Sequence, residues 1–178
     1  MIAEYVRDAA MTAAIFGFFT TVWFGWAQEA PPPAWRKYLI GGVIAGGLTL
    51  VGGVLVAVPN WTAGTVFDED TGRAFGIIVG IEFGAAALGA VVLAVLKRAE
   101  WTPIWIAFVV GVHLFPVAAV LHYPMIHVVG ALITLASVVA MPIARARSVT
   151  PSAVVGVGAG VPLLAGGLYS LAVALLAY

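Results

Sequence analysis

Four side chains in this sequence can carry proton or ligand chemistry in an apolar setting: Glu82, His113, His122 and His127. A carboxyl group and an imidazole can trade a proton near neutral pH, and both can ligate a cation. Cysteine is absent, which removes thiolate catalysis, iron–sulfur clusters and Cys-based zinc sites. The histidines and Glu82 supply enough ligands for a metal or haem, but no spacing such as H-E-x-x-H is present. A metal site is therefore a lesser alternative, and no cofactor is expected. Four serines stand at 137, 148, 152 and 170, none of them in G-x-S-x-G. Only a pairing of Ser137 with a histidine is conceivable, and no catalytic residue is assigned. Gly156-x-Gly158-x-Gly160 has the outline of a phosphate loop, without a preceding strand or a nearby cation. Asp68-Glu69-Asp70-Thr71-Gly72 has the opening of a calcium loop but not its closing glutamate. It reads as a solvated turn whose acids favour the start of a helix.

The elements that must position these groups follow from composition. Of 178 residues, 63% are hydrophobic and 9% are charged. A soluble domain carries roughly 25% charged residues, which it needs to cover its surface. The chain is thus expected to have lipid as its main solvent. Net charge is zero, so no basic field exists to hold nucleic acid. Charges punctuate long uncharged runs at 9–28, 38–67, 101–144 and 148–178, and the run 74–96 contains only Glu82. A membrane helix needs about 20 apolar residues, so the longest run holds two spans, divided at His122-Tyr123-Pro124. The expected fold is all-α: a single transmembrane domain over 1–178 with about six helices, near 9–28, 38–59, 74–96, 102–121, 125–143 and 152–177. No alternating pattern marks a β-barrel. The first run lacks a clean basic flank and exceeds a signal-peptide core, so it reads as a retained helix.

Basic residues fall mainly in loops one, three and five, as Arg36, Lys37, Lys97, Arg98, Arg145 and Arg147. The positive-inside rule then places both termini outside the cytoplasm. The run Trp35-Arg36-Lys37-Tyr38 reads as an interface anchor with its cations near lipid phosphates. Small residues allow helices to approach closely in lipid. Gly76, Gly80 and Gly84 form one stripe of the third span, and spans two and six are also glycine-rich. These faces are expected to pack, within the chain or in a homo-oligomer.

Glu82 is the one charge inside the expected spans. A charge at such depth costs at least ~2.5–3.5 kcal/mol and calls for a partner. Counted from Ala74, Glu82 is ~12 Å deep, and His113 is ~12 Å from the end of span four near Leu121. The two can meet at one level. Glu82 points roughly 160° away from the glycine stripe at 100° per residue. Pro116 removes the helical donor of the Val112 carbonyl, which is expected to kink the helix and offer an acceptor near the imidazole. His122 and His127 are expected at the outer rim.

Gly111-Val112-His113-Leu114-Phe115-Pro116-Val117-Ala118 resembles a G-x-H-x-x-P-x-A stretch in a group of small bacterial integral membrane proteins. The resemblance covers about 30 residues, from span four into span five. It implies a multi-pass protein of a bacterial plasma membrane and carries no mechanism. The reading favoured by the residues is small-solute or proton-coupled transport through an outward-facing pocket at Glu82 and His113. A non-catalytic structural or lipid-binding subunit is the alternative, and an intramembrane enzyme a lesser one.

Overall fold

A computed structural model describes residues 2–178. Among them are six α-helices and no strand: α1 (Val6–Trp26), α2 (Arg36–Ala57), α3 (Glu69–Val95), α4 (Thr102–Val120), α5 (Met125–Arg147) and α6 (Pro151–Leu176). All six are long and apolar enough to cross a membrane. Short 3₁₀ turns, Pro33–Trp35 and Ala99–Trp101, lead into α2 and α4.

Central in the packing is α6, which touches α1, α2, α4 and α5. Helix α1 packs between α2 and α6, and α4 between α3 and α5. By contrast, among the described residues α3 has α4 as its only α-helical neighbour and contains no fully buried residue. Close approach follows the glycines, as lipid-immersed packing requires. A Cβ at Gly17 would overlap the backbone of Gly46 and Leu50, and one at Gly53 the backbone of Ala10 and Ala14. Gly111 and Gly130 bring α4 against α5 in the same way, and Gly156 brings α6 against Ala27 of the α1 end.

The stripe Gly76, Gly80 and Gly84 behaves differently from expectation. Among the described residues nothing lies within 4 Å of where a Cβ on any of the three would be. The expected packing is absent among the described residues, and this face of α3 is left open. It is the opposite face of α3, carrying Phe75, Ile78 and Glu82, that meets the bundle.

Helix ends depart from the punctuation by charge. Helix α3 starts at Glu69, because Asp68 caps it by accepting from the Thr71 N–H at 2.8 Å. That bond holds the Asp68 carboxyl below its ordinary pKa of 3.8. Helix α5 continues to Arg147, with Arg145 and Arg147 in its last turn at the negative end of the helix dipole. Three helices close on a left-handed residue that is not glycine: Lys97 (φ 56°), His122 (φ 48°) and Ser148 (φ 52°). Each is followed by an N–H that bonds back around the turn: Arg98 to Leu93 O at 2.8 Å, Tyr123 to Ala118 O at 3.0 Å, and Val149 to Ala144 O at 3.0 Å. This is the Schellman pattern, which satisfies carbonyls that a helix end would orphan.

Candidate functional site

Glu82 and His113 meet between α3 and α4. Glu82 Oε2 lies 3.2 Å from His113 Nε2, with the side chains 13% and 16% exposed. Both are thus largely shielded yet not sealed. Glu82 is the middle residue of α3, thirteen from each end. Because the helix begins at Glu69 rather than near Ala74, Glu82 is ~20 Å from either end and not in the outer part of the helix.

The imidazole is oriented from its other side. His113 Nδ1 donates to the Val110 carbonyl at 2.7 Å. The expected acceptor was the Val112 carbonyl freed by Pro116, but the ring turns back along its own helix instead. Pro116 lies inside α4, which continues to Val120. A carbonyl can only accept, so Nδ1 must carry a proton. Nε2 and Oε2 can then approach only with a proton between them. The pair is either imidazolium with carboxylate or neutral imidazole with carboxylic acid. Two lone pairs would face each other if that proton left. The site therefore holds one exchangeable proton in a partly shielded place.

A second polar contact sits on the same seam. Trp105 Nε1 donates to the Ala85 carbonyl at 3.0 Å. Gly89 makes room for it, since a Cβ there would overlap the indole nitrogen. The seam thus combines one ion-pair-like contact, one hydrogen bond and one glycine notch.

The other predicted residues do not join this pair. His122 is exposed and lies 3.2 Å from Glu4. Its left-handed backbone ends α4. His127 packs its ring against Phe115, and its buried Nδ1 has no hydrogen-bond partner among the described residues. Among the described residues no three of His, Asp and Glu come together as a metal would need. Ser137 donates to Thr134 O at 2.7 Å, and Ser170 bonds Tyr123 Oη at 3.1 Å. These two serines are occupied in helix and turn contacts.

Asp8 escapes the sequence reading, which counts Glu82 as the only charge within a span. Helix α1 starts at Val6, so Asp8 belongs to its first turn, and it is only 7% exposed. Its carboxylate accepts from Thr65 Oγ1 at 2.7 Å and from the Val66 N–H at 2.8 Å. Beside it, Arg7 donates to Trp61 O at 2.9 Å and lies 4.8 Å from the Trp61 ring centroid. Together they pin the segment between α2 and α3 to the start of α1. The available signal was an acid at the first turn of an apolar run, facing a polar loop of unknown path.

No protein-family model, no curated protein and no solved structure matches the chain.

Proposed function

We propose that this chain is a multi-pass membrane protein that moves protons, alone or coupled to a small solute, through the Glu82–His113 pair. The observation that carries this reading is the single proton slot between Nε2 and Oε2 at the midpoint of a membrane-length helix. Intramembrane ionisable pairs of this kind mark proton relays and coupling sites, and transporter sites commonly lie near the midplane. The six basic residues of loops one, three and five favour a cytoplasmic face at those loops, with both termini outside. A bacterial plasma membrane is the location that the likeness over Gly111–Ala118 implies.

A second reading has its own observation. Among the described residues α4 is the one α-helix packed on α3, and the pair joins the Trp105–Ala85 bond in holding the two together. A polar pair can serve to fix helix register without chemistry. Glu82→Gln separates the two. Its amide can donate to a neutral Nε2 and so keep the clasp, but it cannot exchange a proton. Proteoliposomes loaded with pyranine report proton flux under a pH gradient. Transport predicts a flux loss of about a hundredfold in Glu82→Gln with the helical fold intact. Unchanged flux in Glu82→Gln and in Glu82→Gln/His113→Ala would sink the transport reading and leave the register clasp.

A further inference from the structure

At the end of the bundle opposite the 58–68 segment, α2 opens on Arg36 and Lys37. Both are exposed, and neither pairs with a carboxylate among the described residues. The first turn of α2 contains no acid, so both cations sit at the positive end of the helix dipole. A shallow, open depression lies beside them, bounded by Pro33, Ala34 and Ile40. On the other side of Tyr38 runs an apolar groove of about 490 Å³ between α2 and α6. Gly41, Gly42 and Ala45 form its α2 side, and Val157, Val161 and Leu164 its α6 side. Tyr38 lines both spaces and is 69% exposed.

The geometry points to one bound anionic glycerophospholipid, with its phosphate between Arg36 and Lys37 and an acyl chain along the α2–α6 groove. A basic recess alone would suit any anion, and an apolar groove alone any lipid. Their junction at one interfacial tyrosine matches an amphiphile with a negative head. A zwitterionic head would bring a further cation to a place that already holds two. The site is on the far side of α6 and α1 from the α3–α4 seam, so it stands independently of the proton reading.

The test uses the full chain reconstituted in phosphatidylcholine vesicles containing a minority of phosphatidylglycerol, then released and weighed by native mass spectrometry. Wild type should retain one phosphatidylglycerol, enriched about thirtyfold over its bulk share, from roughly a fivefold preference per cation. Arg36→Gln/Lys37→Gln should bring the retained lipid back to the bulk ratio. Gly41 has open space around it, so Gly41→Leu should fold, fill the groove and lose retained lipid of both kinds. Should the double variant misfold, raising salt on wild type should lower the enrichment through screening of an exposed site. Retention at the bulk ratio in wild type, enrichment indifferent to the cations and to salt, or a dimer with no lipid in the groove would overturn the assignment.

Discussion

Replacing Asp8 by alanine should free the segment joining α2 and α3 while leaving the helices packed. The carboxylate accepts two hydrogen bonds from that segment, at 2.7 and 2.8 Å, and is nearly excluded from solvent. Hydrogen bonds to a charged group are worth ~1.5–3 kcal/mol each. Two at the lower end hold the segment by about 3 kcal/mol, or about a hundredfold in its open population. A neighbouring contact does not involve the carboxylate: Gly64, with φ 98°, lies against the Tyr5 ring. The assay is amide hydrogen exchange in detergent micelles, followed by mass spectrometry on peptides spanning residues 58–68. Val66 should exchange about a hundredfold faster in Asp8→Ala. Asp8→Asn keeps an acceptor for the Val66 N–H but loses the charge, and should exchange only several-fold faster. Far-ultraviolet circular dichroism should be unchanged in both. If Val66 exchanges at the wild-type rate in Asp8→Ala, the carboxylate does not hold this segment.

The glycines divide by what surrounds them. Gly17→Ala and Gly53→Ala place a methyl against backbone and should each cost about 2 kcal/mol in SDS unfolding titrations. Gly76→Ala, Gly80→Ala and Gly84→Ala meet open space and should be neutral or stabilising by up to ~1 kcal/mol, because alanine is the better helix former. A cost of the first size on α3 would mean that the open face is covered, contrary to the structure of the single chain. Asp68 should titrate below its ordinary 3.8 when followed by carbon-13 NMR of labelled aspartate, because its ionised form accepts the Thr71 N–H. Its folded pKa is depressed, so its support for the start of α3 is complete above the unfolded value. That support should fade as pH falls through the folded value. A midpoint at or above 3.8 would show that the cap does not form.

The all-α class and the six membrane-length helices are legible in the sequence because lipid imposes a simple rule. Every backbone group must be paired within its own segment, and each segment must be long and nearly free of charge. The acid and the imidazole of the α3–α4 seam stand out for the same reason, since ionisable groups in such runs are rare and costly. Only the tertiary structure decides that they touch, that Val110 rather than Val112 orients the ring, and that one proton lies between them. It also decides which glycines pack. In water, a buried face and an exposed face differ in polarity and leave a periodic trace. In lipid both faces are apolar, so Gly76, Gly80 and Gly84 on an open surface look the same as Gly17, Gly46 and Gly53 in a tight contact. The left-handed ends at Lys97, His122 and Ser148 carry no glycine signal, and the burial of Asp8 depends on where a distant loop returns. Each of these was settled by contacts between segments far apart in the chain, which local spacing does not encode.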